Sequence, residues 1–174
     1  VGSEMCIRDR DTTTTAGKIL SITTGFMRDY HKPFASICID DDGVGGGVTD
    51  MLREKIYERN LNIEVVGCHN GGRANEPEHY ANWITEQWCN LKQRLTDGDI
   101  ELPQDDELSA QLSTRKYGIN SKGQIVLEDK KTYKKRIHRS PDRADGLILA
   151  FAETKETDPN IAALLGGAKL YGNY

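Results

Sequence analysis

Two clusters of aspartates are the residues of this sequence best suited to chemistry. The first, Asp40, Asp41 and Asp42, follows an apolar run (34–39) and precedes a glycine-rich turn (43–47). Carboxylates at the end of a buried strand lie where open α/β sheets bind their ligands. A solvated turn would also use Asp and Gly. The glycine spacing fits no phosphate-binding loop, and three adjacent acids would repel a phosphate, so a divalent cation is the predicted ligand.

The second cluster is Asp142 and Asp145, in the segment SPDRADG. Side chains three positions apart on a helix share a face. Asp142 would lie in the first turn, where it would also interact favourably with the helix dipole. Asp145 lies among apolar residues, where a carboxylate needs a partner or an ion. These residues therefore favour a metal ligand at Asp145, whereas the helix dipole is a sufficient explanation for Asp142.

A basic run lies directly before the second acidic cluster. Basic runs are usually solvated protein surface, but the position of this one suggests a track for the DNA phosphate backbone, leading to the carboxylates. Its candidate DNA-binding residues are Lys130, Lys131, Lys134, Lys135, Arg136 and Arg139.

The first acidic cluster requires a strand–helix–strand unit to position it. The apolar run 34–39 and the segment 61–68 are typical of buried strands, and 48–59 has an apolar helical face. This pattern predicts two parallel strands with a right-handed connection. A helix over 16–30 precedes them.

The central part of the chain predicts more helix. A broad apolar stripe indicates a long helix that begins at Pro77 and ends at Asp97-Gly98. Asn82, on that helix, is expected to satisfy a buried backbone group. A short edge strand at 100–102 and a short helix around Leu108 should follow.

A β-hairpin and a last helix complete the predicted domain. The segments 116–120 and 125–128 flank a Ser-Lys-Gly turn and predict the hairpin. Ser140 at the N-cap with Pro141 at the first helical position is a typical helix start. That helix would present Asp142 and Asp145 in its first turns.

Composition limits the class of protein. The 174 residues suffice for one domain with a sizeable core. No apolar run approaches the roughly 20 residues that cross a bilayer. The four cysteines form no CxxC pair, which argues against a disulfide framework or a zinc site and indicates a reducing cytoplasm. The net charge of −4 argues mildly against nucleic-acid binding, but the clustering of the basic residues offsets it.

The two ends of the chain differ from the rest. Residues 1–10 resemble a translated sequencing-adapter peptide, so we expect native sequence to begin near Asp11, with an upstream part missing. Residues 154–174 are predicted to be a loosely held tail. The expected domain therefore spans 11–153.

The motifs, taken in order, resemble the C-terminal nuclease domain of the terminase large subunit of tailed bacteriophages. The resemblance covers 11–152 and rests on the segments IDDDGVGGGVTDML, VVGCHNGG, YANWITEQW and LEDKKTYKKRIHRSPDRADGLILAF. It implies a ribonuclease H-like α/β fold with a mixed sheet flanked by helices, incomplete at the N-terminus. The ATPase domain of such proteins carries a Walker motif, and this sequence has none.

The resemblance also implies a mechanism and roles for the aspartates. Two Mg²⁺ or Mn²⁺ ions about 4 Å apart would activate water for phosphodiester cleavage. Asp40 takes the place of the acid on the fourth strand, with Asp41 as a second contributor. Asp145 takes the place of the acid on the last helix, with Asp142 as an auxiliary ligand. The family's first-strand aspartate would precede Asp11, so we expect this polypeptide to cut DNA poorly or not at all.

Double-stranded DNA is the implied substrate, cut as concatemers during genome packaging in the infected bacterial cytoplasm. The implied protein partners are a portal protein, a small terminase subunit and the procapsid, with no membrane contact. Two alternatives stay open. One is another ribonuclease H-like nuclease, such as a junction resolvase or a transposase, which would differ in its substrate. The other is a non-catalytic nucleic-acid-binding module, which would bind no divalent cation.

Overall fold

The computed structural model describes residues 11–43 and 45–152 and confirms the α/β class. The predicted adapter-like segment 1–10 and the predicted tail 154–174 lie outside the described residues. The elements, in chain order, are α1 (Thr12–Tyr30), β1 (Ser36–Asp40), α2 (Gly45–Glu58), β2 (Glu64–Cys68), α3 (Trp83–Asp97), α4 (Asp106–Thr114), β3 (Tyr117–Ile119), β4 (Ile125–Leu127), α5 (Lys130–Ile137) and α6 (Asp142–Ala150).

The predicted strand–helix–strand unit forms, with β1 and β2 in parallel and Asp40 opposite Cys68. Helices α1 and α2 pack together and bury the first hydrophobic core. On α2 the buried residues Val48, Leu52 and Ile56 recur every four positions, which places them on one face. This core fixes the end of β1, and therefore the first acidic cluster.

A second hydrophobic core lies among α3, α4 and α6. It buries Trp88 and Leu91 of α3, Leu108 of α4, and Ala144 and Ile148 of α6. Helix α6 also contacts β1. The last helix therefore joins the two cores and carries the second acidic cluster towards the first.

The strands form two separate pairs in the described part of the chain, one parallel and one antiparallel, and not a single mixed sheet. The hairpin of β3 and β4 forms as predicted. The edge strand predicted at 100–102 was wrong, because that segment forms no strand. Ile100 packs against the second core instead.

The start predicted for α3 was also wrong, because the helix begins at Trp83 and not at Pro77. The backbone before Trp83 is hydrogen-bonded to the hairpin instead. Ala81 N donates to Ile125 O, and Ile125 N donates to His79 O. Asn82 is the N-cap residue, and its side chain accepts a hydrogen bond from Thr85 N at 3.1 Å. The prediction that Asn82 satisfies a backbone group is confirmed.

The predicted serine cap of α6 was wrong as well. Pro141 is the N-cap residue, and the Ser140 hydroxyl donates to the Asp142 carboxylate instead. The backbone N–H groups of Arg143 and Ala144 donate to Gln111 Oε1 at 2.9 and 3.0 Å. Gln111 is a buried residue of α4, so a neighbouring helix satisfies the start of α6 and fixes its position.

None of the helices within 11–43 and 45–152 has the length and apolar character needed to cross a bilayer.

Candidate active site

The two acidic clusters meet where β1 ends and α6 begins. Asp40 is the last residue of β1, and Asp145 lies in the first turn of α6. The Lys130 ammonium, from the first residue of α5, lies 3.0 Å from Asp145 Oδ2 and 3.6 Å from Asp40 Oδ2. One ammonium group therefore contacts two carboxylates that are 105 positions apart in the sequence.

The Asp145 carboxylate is buried, with 7% of the residue exposed. Neither of its oxygens accepts a hydrogen bond from the described residues. Its partners are two cations: the Lys130 ammonium, which lies 3.0 Å from Oδ2, and Arg115 Nη1, which lies 3.7 Å from Oδ1. Burial raises the pKa of Asp145, Lys130 and Arg115 oppose the rise, and Asp142 adds to it. The ionised form of Asp145 thus depends on nearby positive charge.

Lys130 is held charged by the same contacts. Burial lowers the pKa of its ammonium, but the attraction of Asp145 and Asp40 outweighs burial, so the pKa is raised overall. Asp129 is the N-cap residue of α5, and its carboxylate accepts a hydrogen bond from Thr132 N at 2.9 Å. This cap fixes the first turn of α5, from which Lys130 reaches the acids.

Asp41 and Asp42 make different contacts from Asp40. The Thr49 hydroxyl, on α2, donates to Asp41 Oδ1 at 2.6 Å. Asn70 N donates to Asp42 Oδ2 at 3.0 Å, and His69 lies within 4 Å of both carboxylates. These contacts tie the ends of β1 and β2 together.

The first acidic cluster also depends on a close approach of α2. A Cβ atom added to Gly45 would lie 1.8 Å from the Asp40 carbonyl oxygen, a distance that no side chain permits. The glycine-rich segment is therefore more than a turn, because α2 begins within it at Gly45. The absence of a side chain lets the helix start against the backbone of Asp40.

Asp142 accepts a hydrogen bond from Ser140 and lies close enough to Asp145 to raise its pKa. In the part of the chain that the structure describes, no three His, Cys, Asp or Glu side chains lie close enough together to hold a metal ion. The structure therefore assembles the pair Asp40 and Asp145 around Lys130, and not a three-acid cluster with Asp142.

The six basic residues of the predicted DNA track separate into two that contact carboxylates and four that are exposed. Lys130 lies in the acidic site. Arg136 Nη2 lies 2.6 Å from Glu128 Oε2 and donates to Thr114 O at 2.7 Å. The remaining four side chains belong to exposed residues: Lys131, Lys134, Lys135 and Arg139.

Sequence reasoning missed Arg115, which contacts Asp145, and its hydrogen-bond partner Glu128. They flank the paired strands of the hairpin, and Arg115 Nε donates to Glu128 O at 2.9 Å. The hairpin register alone would have brought them together. Nothing in the spacing of Arg115 and Asp145 signalled their contact, because it depends on how α6 packs.

The residues present fit a divalent cation. Carboxylate oxygens are the ligands that Mg²⁺ and Mn²⁺ prefer. Both oxygens of Asp145 are buried without a hydrogen bond in the described structure, and a lysine ammonium already lies between Asp145 and Asp40. A positive charge is therefore favourable at this position.

A scan against protein-family models finds no match, and neither does a search of curated protein sequences. Solved structures do match. The chain is similar to the nuclease domain of the large terminase subunit gp2 of bacterial virus Sf6, at 17% identity and a TM-score of 0.57, over 76% of this chain and 70% of that one. A point mutant of that domain, with manganese and beta-thujaplicinol, matches at 16% identity and a TM-score of 0.62, over 84% and 75%. A mutant form with calcium matches at 17% identity and a TM-score of 0.56.

Sequence identities of 16–17% are too low to carry an argument, so the similarity lies in the backbone arrangement. That arrangement agrees with the fold that the resemblance of the motifs implies. The chain shares its fold with the nuclease domain of the Sf6 large terminase subunit gp2.

Proposed function

We propose that this chain is a divalent-metal-dependent endonuclease domain that cuts double-stranded concatemeric viral DNA during genome packaging. Asp40 and Asp145 are the principal carboxylates that hold Mg²⁺ or Mn²⁺, with Asp142 and Asp41 in auxiliary roles. The observation that carries the proposal is the single ammonium group, from Lys130, that contacts both principal carboxylates.

A pair of divalent ions bound there would activate water and stabilise the leaving 3′ oxygen. The chain's own residues supply the negative charge and its placement. Asp40 is fixed by β1 and by the start of α2, and Asp145 by the first turn of α6. Lys130 would have to leave the two carboxylates before they could hold a divalent cation, because it now contacts both of them.

The fold supports this proposal, because the Sf6 domains that it resembles are nuclease domains of a terminase and carry manganese or calcium in several structures. By the same likeness we propose action in the infected bacterial cytoplasm, with a portal protein, a small terminase subunit and the procapsid as partners. Weak cleavage by this polypeptide on its own remains our expectation, because no three His, Cys, Asp or Glu side chains of the described residues lie close enough together to hold a metal ion.

The DNA backbone would be bound by the exposed basic residues of α5 and the segment that follows it. Lys131, Lys134, Lys135 and Arg139 are exposed, whereas Lys130 and Arg136 are engaged with carboxylates. Four residues on the segment that also carries Lys130 would bring phosphates to the edge of the acidic site.

Manganese titration by calorimetry tests the metal site directly and does not require cleavage. We expect the wild-type chain to bind Mn²⁺, and Asp40→Asn and Asp145→Asn each to weaken binding by about tenfold, because one carboxylate ligand is lost. Asp50→Asn is the matched control, an exposed acid on α2 that should leave binding unchanged. A wild-type chain that binds no Mn²⁺, or binding unchanged in both site variants, would refute the metal site and favour a non-catalytic module.

The basic face is tested by DNA binding at several salt concentrations. Each of Lys131→Ala, Lys134→Ala and Lys135→Ala should weaken binding of duplex DNA and lower the salt slope by about one, because each removes one phosphate contact. Lys122→Ala, in the exposed turn of the hairpin, is the control. Equal losses for Lys122→Ala and the α5 variants would locate the DNA elsewhere. Preference for branched junctions over long duplexes would favour the resolvase alternative.

A further inference from the structure

Arg115 is a buried cation that is fixed on several sides. Only 4% of its side chain is exposed. Its guanidinium carbon lies 5.3 Å from the ring centroid of Trp88 and 5.4 Å from that of Tyr133. Its Nε donates to Glu128 O at 2.9 Å. Two aromatic contacts and a hydrogen bond hold this group in place, so it cannot swing into solvent as an exposed lysine can.

The remaining contact of the guanidinium is with the acidic site. Arg115 Nη1 lies 3.7 Å from Asp145 Oδ1 and forms no hydrogen bond with the described residues. Lys130 contacts the other oxygen, Oδ2, and 41% of its side chain is exposed. The two oxygens of one buried carboxylate thus face two different cations, one fixed and one able to leave.

A buried carboxylate without a compensating charge is costly. If Lys130 were the only partner of Asp145, its departure would leave that carboxylate unpaired until another cation arrived. We propose that Arg115 is the positioning residue of Asp145, a permanent counter-ion that holds the carboxylate in place while Lys130 exchanges with a divalent cation. The exchange rests on the proposed function, whereas the pairing of Arg115 with Asp145 does not.

A double-mutant cycle in the presence of EDTA tests the pairing. Arg115→Met and Asp145→Asn are made singly and together, and the unfolding equilibrium constant is measured by denaturant titration. We expect Arg115→Met to favour unfolding at least about tenfold more when Asp145 is present than in the Asp145→Asn background, because the asparagine amide needs no counter-ion. A purely structural arginine would cost the same in both backgrounds, and that result would overturn the proposal.

Three further variants sharpen the cycle. Arg115→Lys keeps the charge but loses the planar stacking, so most of the coupling to Asp145 should survive even if stability falls.

Arg136→Met is the matched control. Arg136 also lies over the Tyr133 ring but pairs with Glu128, so this variant should show no coupling to Asp145→Asn. Arg115→Met combined with Lys130→Met should cost more than the sum of the two changes, because no cation then remains beside Asp145. Strict additivity of those two changes would overturn the division between a fixed and an exchangeable cation.

The double-mutant cycle and the manganese titration can fail independently of each other. The cycle is measured without metal or DNA, so its failure refutes the role of Arg115 even if manganese binds. A chain that shows the coupling but binds no manganese would retain the pairing and lose the proposed nuclease function.

Discussion

Gly45→Ala is expected to remove manganese binding and to destabilise the fold by roughly 1–3 kcal/mol, the usual range for a substitution that forces backbone to move. The added Cβ would lie 1.8 Å from the Asp40 carbonyl oxygen, so either the start of α2 or the end of β1 has to shift. Both elements belong to the first hydrophobic core. Denaturant unfolding and manganese calorimetry on one preparation measure the two effects.

Gly46→Ala is the matched control for this prediction. A Cβ at Gly46 would meet only Asp41 Oδ1, at an ordinary 3.8 Å. Alanine also loses less backbone freedom on folding than glycine, so this variant should be neutral or up to about 1 kcal/mol more stable. The two neighbouring substitutions should therefore have opposite or clearly separated effects. Equal stability of the two variants would show that the close approach of Gly45 to Asp40 does not constrain the molecule.

Lys130→Met should strengthen manganese binding by about thirtyfold. In the wild-type chain a cation has to displace an ammonium that contacts two carboxylates. Breaking a buried ion pair costs roughly 3 kcal/mol or more, and the partial exposure of Lys130 reduces that cost to about 2 kcal/mol, which corresponds to the stated change in affinity. Calorimetry measures the affinity directly.

The same variant should be less stable than wild type without metal and should gain more stability from manganese. The first effect follows from the loss of one counter-ion of Asp145, and the second from tighter binding to the folded state. Lys134→Met, an exposed change on the same helix, should alter neither quantity. Weaker manganese binding in Lys130→Met would contradict the competition between ammonium and metal, and would show that Lys130 supports the bound ion.

Local sequence patterns were sufficient to predict most of the elements, because their signals lie within a few residues. The strands that flank α2, the hairpin and the short helix α4 all follow from apolar periodicity and turn residues. The starts of α3 and α6 were misjudged for a shared reason. In each case a proline was taken for the helix start. The hairpin instead holds the backbone after Pro77, and Gln111 of another helix satisfies the N–H groups after Pro141.

The candidate site was predictable by residue type but not by its contacts. Asp40 and Asp145 could be selected because one ends a buried strand and the other is an acid among apolar residues. The positions of the cations could not be predicted, because Lys130 and Arg115 reach Asp145 only through the packing of α5, the hairpin and α6. Because the basic run 130–139 contains several lysines, the sequence could not predict that Lys130 is the one that contacts Asp40 and Asp145.

The division of the hydrophobic interior into two cores has a consequence for the cooperativity of unfolding. Asp40 ends a strand that packs with the first core, and Asp145 belongs to a helix that packs in the second. An ion held by both carboxylates would be a non-covalent cross-link between the two halves. Opening of either half would then release the ion, so the halves should unfold together when it is bound and more independently when it is absent.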